Sequence, residues 1–250
     1  MSITLGLNIN HADSSACIFK DGVLLFAVEE ERINRIKHWA GLPIESIKLC
    51  LDHTGISTSE ITDVTINSNP LSNILPKITF FLKNYIPGKK KHEIFQRFKQ
   101  KLSLKKKLEK NFFPKIFSRN IKFHYVDHHL SHIASAFYPS KFEKAVGLSI
   151  DGFGDFCSIA IAECENGKIS IIDKTYFPDS LGIIYEAFTQ YLGFNNYGDE
   201  YKVMGLSSFG SPVYSEIIEK NIFMNVDKFK LNLDFFNHTN RDYKYKFSGS

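Results

Sequence analysis

A five-residue phrase in this chain has a close echo further along, and that resemblance constrains the fold more than any single motif. Gly6-Leu7-Asn8-Ile9-Asn10 is echoed by Gly147-Leu148-Ser149-Ile150-Asp151. Each copy runs into a polar turn containing Gly or Ser, then into a returning apolar stretch. Each returning stretch ends at its own tight turn, Lys20-Asp21-Gly22 in the first and Glu165-Asn166-Gly167 in the second. Asp-Gly and Asn-Gly supply the positive φ angles that two-residue hairpin turns need. Two copies this far apart are too few for a solenoid. They predict two related lobes facing each other across a cleft, residues 1–126 and 127–250.

The flanking pattern supports strands mixed with helices. Ile3, Leu5, Leu7 and Ile9 alternate with Thr4, Gly6 and Asn8, the two-residue period of a half-buried strand. Ser15 to Lys20 and Val23 to Glu29 read as the next two strands. Pro43 suits the first turn of a helix with Ile44, Ile47 and Leu51 as its apolar stripe, and Gly55 falls just past its end. Ile61 to Asn67 and the alternating Ile121, Phe123 and Tyr125 read as further strands. In the second half, Val146 to Ile150 reads as a buried strand. Leu181 to Leu192 reads as a helix capped by Ser180 and closed by Gly193. A glycine-bearing turn over Asn196 to Asp199 follows, and the stretch after Asn221 carries no clear period. The class expected is α/β, with mixed sheets in duplicated lobes and the second lobe truncated. A duplicated hairpin whose turn amides can hold phosphate is also the plan of the actin, hexokinase and Hsp70 (ASKHA) ATPases, an analogy of fold that carries no chemistry by itself.

Charge is distributed unevenly. Lys83 to Lys122 holds 14 Lys/Arg against two acids, whereas the rest of the chain holds 17 bases and 25 acids. This insert, placed at about 71–120 and helical in part, is either an anion-binding surface or a solvated helical hairpin. The apolar run Val23 to Val28 is far too short to span a bilayer. The N-terminus shows no basic region followed by a small-residue cleavage site. Cys17, Cys50, Cys157 and Cys164 form no Cys-x-x-Cys pair, which predicts a reduced, cytoplasmic setting.

The residues with the clearest chemical promise lie in Asp127-His128-His129-Leu130-Ser131-His132-Ile133-Ala134-Ser135-Ala136-Phe137. Asp127 can cap a helix here, and Pro139 discourages its extension past Tyr138. Leu130, Ile133, Ala134 and Phe137 make an apolar stripe. His128 and His132, four apart, stack on the other face, where two imidazoles can share one metal ion. His129 points between the faces. Asp151, at the end of the Val146–Ile150 strand and before Gly152 and Gly154, is the nearest candidate for a third ligand. Two histidines and a carboxylate with open positions suit Fe(II) or Zn(II). The alternatives are surface histidines and a plain turn aspartate. His11 sits in the first hairpin turn, either facing a ligand or bonded to backbone. Glu29 to His38, dense in alternating charge, reads from its composition as a solvated loop. Lys202, beside glycines in Gly198 to Leu206, is a weak phosphate-binding signal. No Walker loop, no G-x-G-x-x-G after a strand and no zinc-ribbon spacing occurs.

Five blocks taken together resemble the ATP-dependent O-carbamoyltransferases of the nodulation and antibiotic-tailoring type. They are His11 to Ala16; Ala27 to Arg32 with Arg35 to His38; Asp127 to Phe137; Ser149 to Asp155; and Gly198 to Leu206. They stand in family order and cover most of residues 3–210 outside the basic insert. The resemblance implies a Kae1-like N-terminal domain that binds carbamoyl adenylate at a metal and passes the carbamoyl group to an acceptor hydroxyl. A YrdC-like C-terminal domain makes the adenylate from carbamoyl phosphate and ATP.

Carried over by motif, His128, His132 and Asp151 are metal ligands. His11 is a catalytic residue near the carbamoyl group. Gly152, Gly154, Lys202 and Gly205 belong to the nucleotide pocket, and Arg32 and Lys37 line the route to the acceptor. The implied cofactor is a divalent metal, Fe(II) before Zn(II). The implied partners are a small-molecule or saccharide acceptor and a YrdC-like domain or chain, with a homodimer open and no nucleic acid or membrane span expected. Members of the family are about twice this length, so the chain is expected to be an incomplete transferase without that C-terminal region. Two other readings remain. One is a non-catalytic metal- or nucleotide-binding module acting through a partner. The other is a tRNA-modifying relative using the basic insert for phosphate contacts.

Overall fold

Alternation with period two and apolar stripes with period 3.6 become the strands and helices of two compact units, Met1–Asp127 and His128–Tyr245. The computed structural model describes residues 1–83, 103, 106–108, 121–225, 229–236 and 238.

In the first unit, β1 (Ile3–Asn8), β2 (Ser15–Lys20) and β3 (Val23–Glu29) form an antiparallel meander. On the other side of β1, β4 (Asp63–Ile66) and β5 (Lys122–Tyr125) add in parallel. The sheet order is β3-β2-β1-β4-β5. Ile3, Leu5 and Leu7 project into the core with Ile18, Val64 and Ile66, and α2 (Ile44–Thr54) packs Ile47 and Cys50 against them. Pro43 precedes α2, and Gly55 ends it in the left-handed conformation at φ 66°.

One expectation needs correction here. Glu29 to His38 is not a solvated loop. It contains a short helix, α1 (Glu30–Asn34), and Glu30 is buried. The Glu30 carboxylate accepts hydrogen bonds from the backbone N–H of Glu45 and Ser46 and from the Ser46 hydroxyl, at 3.1, 2.8 and 2.7 Å. A distant side chain thus satisfies the free amides at the start of α2, where the helix dipole also favours a negative charge. The basic insert is helical over the part that is described. Its first part is α3 (Ile74–Lys83), and Leu108 is fully buried in the first unit's core. Most of its basic residues lie outside the described residues.

The second unit has a three-stranded antiparallel sheet of β6 (Lys144–Gly154), β7 (Cys157–Glu165) and β8 (Lys168–Tyr176). One face is covered by α4 (His128–Phe137), whose Ile133 and Phe137 pack on Ala160, Ala162 and Cys164. A second cluster joins Ile183 and Ile184 of α5 (Leu181–Tyr191) to Leu231 and Phe236. Helices α6 (Glu200–Ser207) and α7 (Ser215–Ile222) follow, then a ribbon of β9 (Phe223–Asn225) and β10 (Lys230–Leu231). Ser180 caps α5 by accepting from Ile183 N–H, as expected. The strand Val146–Ile150 is not buried as its composition suggests. Val146, Leu148 and Ile150 are exposed, because among the described residues β6 is an edge strand and α4 covers only its other face. The architecture is α/β with a mixed sheet.

Among the described residues no helix is long and apolar enough to cross a membrane. The four cysteines are free.

Candidate metal centre

Helical geometry puts His128 and His132 one turn apart on α4, and their rings meet Nε2 to Nε2 at 3.0 Å. Asp151 comes from β6. The β6–β7 pairing shifts register between Ile150 and Gly154, and this irregularity turns the chain at Asp151. Its Oδ2 lies 2.7 Å from His128 Nε2 and 3.7 Å from His132 Nε2. The helix and hairpin residues singled out in the sequence therefore converge within one folded unit.

The neighbours fix each member in place. Asp155, in the β6–β7 turn, accepts from the backbone N–H of His128 at 3.1 Å, so the hairpin holds the first residue of α4. Gly154 leaves the space that the His128 ring fills: a Cβ there would stand 1.9 Å from the ring's Cδ2. The Gly152 N–H donates to Asp151 Oδ1 at 2.6 Å. The Ser180 hydroxyl lies 3.0 and 2.8 Å from the carbonyls of Asp151 and Gly152. A Cβ on Gly182 would come within 2.7 Å of Asp151's backbone, so α5 starts directly against the Asp151 peptide.

Burial pushes the pKa of the Asp151 carboxyl up, but the hydrogen bonds from His128 and His132, the electrostatic effect of the His128 ring and the Gly152 amide outweigh it. They hold the carboxyl well below the usual carboxylate range. The oxygen facing the histidines is thus an ionised ligand at neutral pH.

These three atoms suit a cation. One proton on His128 Nε2 can serve Asp151 or His132, but not both. The edges of a tetrahedral zinc site with Zn–N near 2.05 Å are about 3.3 Å, and the observed separations of 2.7, 3.0 and 3.7 Å bracket that value. His128 is buried, whereas the His132 side chain is 54% exposed, so the site is open on the His132 side.

His129 has a different role. It is fully buried, with Nε2 at 3.0 Å from the Cys157 carbonyl and Nδ1 at 2.7 Å from the Ser149 hydroxyl. A carbonyl can only accept, so Nε2 carries the proton and Nδ1 accepts from Ser149. It is a core histidine tying α4 to the sheet.

His11 sits in the turn after β1, where its carbonyl accepts from the Ser14 hydroxyl at 3.0 Å. The same turn is tied to the α1 region: His38 Nδ1 is 3.0 Å from Asp13 Oδ1, and Glu31 accepts from the His38 N–H at 2.9 Å. Arg32 pairs with Glu29 at 2.9 Å and is two-thirds exposed, and Lys37 is exposed. Lys202 and Gly205 are on α6. There Lys202 forms an ion pair with Asp199 at 2.6 Å, which raises its pKa, while Asp199 is lowered by the same contact. Sequence reasoning missed Asp155, Gly182 and Glu30. A glycine two residues after a capping serine was the one local hint of the close approach at Gly182.

The chain belongs to the family described as Carbamoyltransferase N-terminus, whose model matches residues 3–246. It is 34% identical to the uncharacterized protein sll1178 of Synechocystis sp. over 95% of this chain and 40% of that protein. It is 36% identical to the nodulation protein NolNO of Sinorhizobium fredii over 80% of this chain and 28% of that protein. The chain thus spans less than half the length of these relatives. Among solved structures, YeaZ from Pseudomonas aeruginosa aligns over 72% of this chain with a TM-score of 0.37 and 13% identity.

Proposed function

We propose that this chain is the N-terminal part of an ATP-dependent O-carbamoyltransferase, in an ASKHA-type fold of two lobes. Membership of the carbamoyltransferase N-terminus family supports the reaction class. The observation that carries the reading is the convergence of His128, His132 and Asp151 on one point, with the carboxylate held ionised.

In this reading, a C-terminal YrdC-like region, as a further domain or a partner chain, makes carbamoyl adenylate from carbamoyl phosphate and ATP, releasing inorganic phosphate and pyrophosphate. The carbamoyl group then passes to the hydroxyl of a small-molecule or saccharide acceptor, the bond to the adenylate phosphate breaks and AMP leaves. His128, His132 and Asp151 would hold a divalent cation, Fe(II) before Zn(II), which would supply Lewis-acid polarisation of the carbamoyl carbonyl and stabilisation of negative charge on its oxygen. His11 takes the proton of the attacking hydroxyl as general base. Lys202, with Gly152, Gly154 and Gly205, contacts the nucleotide, and Arg32 and Lys37 orient the acceptor. The His38–Asp13 contact steadies the turn that carries His11.

The test combines this chain with the C-terminal region of the family, ATP, carbamoyl phosphate, Fe(II) and candidate hydroxyl acceptors, and follows AMP release and carbamoylated product. Acceptor-dependent product that disappears in His132→Ala supports the reading. Adenylate formation by the C-terminal region without any transfer, across sugar and aminoglycoside-like acceptors, refutes it.

A further inference from the structure

Helix α3 carries its apolar residues Ile74, Leu75, Ile78, Phe81 and Leu82 at i, i+1, i+4, i+7 and i+8. That spacing sets them in one stripe along one side of the helix. A surface helix ordinarily turns such a stripe toward the core. In α3 the stripe points outward: these five side chains are between 39% and 81% exposed, and no residue of the helix is buried. Lys77, outside the stripe, ties the helix back to the preceding loop, donating to the carbonyls of Pro70 and Ser72. Leu71 in that loop is exposed as well. A contiguous apolar face of this kind on a soluble surface marks an interaction site.

Charge sets the chemistry of what covers the stripe. From Lys83, the last residue of α3, to Lys122 the sequence holds 14 Lys/Arg against two acids. Near the far end of this run Leu108 is fully buried in the first unit's core, while Lys106 and Lys107 beside it are exposed. An apolar helix face next to an excess of positive charge is the composition of a membrane-surface helix. A second copy of the chain is a poor occupant, because it brings an equally basic stretch against this one. A nucleic acid backbone offers aliphatic side chains no apolar surface. An anionic bilayer offers both parts, phosphates at its surface and acyl chains just beneath. With ten residues α3 is too short to span a bilayer, so it can only lie in the interface.

We propose that the outward stripe of α3 docks the protein on an anionic lipid bilayer. The helix lies in the plane of the interface, with Ile74, Leu75, Ile78, Phe81 and Leu82 inserted below the headgroups and Lys83 among the lipid phosphates. The net positive charge of the sequence that follows draws the first unit to the surface, and salt screens that attraction. One short helix binds weakly and reversibly, so attachment requires the apolar stripe and the charge together. Docking of this kind involves neither carbamoyl transfer nor a metal, so it stands or falls separately from the transferase reading.

The test is sedimentation of the whole chain with vesicles of phosphatidylcholine, alone or mixed equally with phosphatidylglycerol. Binding about tenfold or more stronger to the anionic vesicles, and lost in high salt, is expected. Leu75→Glu combined with Leu82→Glu places charge on two well-exposed positions of the stripe and should weaken that binding by about tenfold or more. Phe209→Glu combined with Val213→Glu, on exposed apolar residues of the second unit, should leave it unchanged. Maleimide labelling of Leu75→Cys reads the stripe directly and decides the matter if the double variant does not fold. Labelling should be fast in the free chain and about tenfold slower on anionic vesicles. Equal binding to both kinds of vesicle overturns the proposal. Anionic binding that survives Leu75→Glu with Leu82→Glu assigns it to the basic residues alone and also overturns it. Slow labelling without vesicles, or a dimer that the double variant dissociates, assigns the stripe to the chain itself or to a second copy, with the same consequence.

Discussion

Gly154 and His128 occupy adjoining space that has no room for a methyl group: a Cβ at position 154 would lie 1.9 Å from His128 Cδ2 and 2.5 Å from its Nε2. Neither ring nor hairpin has slack, because the His128 N–H is held by Asp155 and its Nε2 by Asp151. Gly154→Ala must therefore turn the ring or bend the hairpin. Overpacking of this kind costs about 1–3 kcal/mol, and displacing a ligand's support weakens metal binding by about 10–100-fold. Isothermal titration with Zn(II), beside urea unfolding, reads both quantities. Wild-type affinity in Gly154→Ala would show that His128 is not a ligand.

His132 and His129 sit three residues apart and are expected to separate cleanly. His132→Ala removes an exposed imidazole and leaves stability within about 0.5 kcal/mol, while metal binding falls by more than tenfold. His129→Leu removes from the core the hydrogen-bond partner of the Ser149 hydroxyl and of the Cys157 carbonyl and costs about 1–3 kcal/mol. Thermal unfolding and metal titration of the two variants should give opposite patterns.

Glu30 anchors the start of α2 from a buried position. Glu30→Ala leaves the amides of Glu45 and Ser46 and the Ser46 hydroxyl without that acceptor. A loss of about 2–3 kcal/mol follows from the buried donors alone. Glu30→Gln keeps the shape and one acceptor oxygen and should lose less. Urea midpoints of the two variants, compared at constant m, measure the difference.

Cys50 gives the pH dependence. Burial first, then the neighbouring Cys17, pushes its thiol up to about 12. In the unfolded chain it ionises near the ordinary thiol value of about 8.5. Above that pH the unfolded state releases a proton that the folded state keeps, so the thiol's contribution to stability is full below it and is lost as the pH rises toward 12. The alkaline fall in unfolding free energy should therefore be shallower in Cys50→Ala than in the wild type. In the native protein at pH 8, Cys50 should not react with a thiol reagent until urea unfolds the chain.

Local chemistry made much of this legible. Period-two alternation marked β1, Pro43 and Gly55 bracketed α2, and Ser180 announced α5, because each signal acts on its own few residues. The spacing of His128 and His132 was equally readable, since a helix turn alone brings them together. Glu29 to His38 was misread because charge composition says nothing about distant amides. Only the approach of α2 gives Glu30 donors that compensate its burial.

The sequence by itself thus determined the repeated strand–turn–strand units, the helix that carries the histidines, and the carboxylate that could join them. Tertiary structure alone decided that Asp151 reaches those histidines, through the irregularity in β6, the Ser180 bonds and the close approach of Gly182. It also decided that Leu7 is buried while its counterpart Leu148 is exposed. The same residue pattern has two outcomes, because burial depends on what packs against a strand and not on the strand's own side chains.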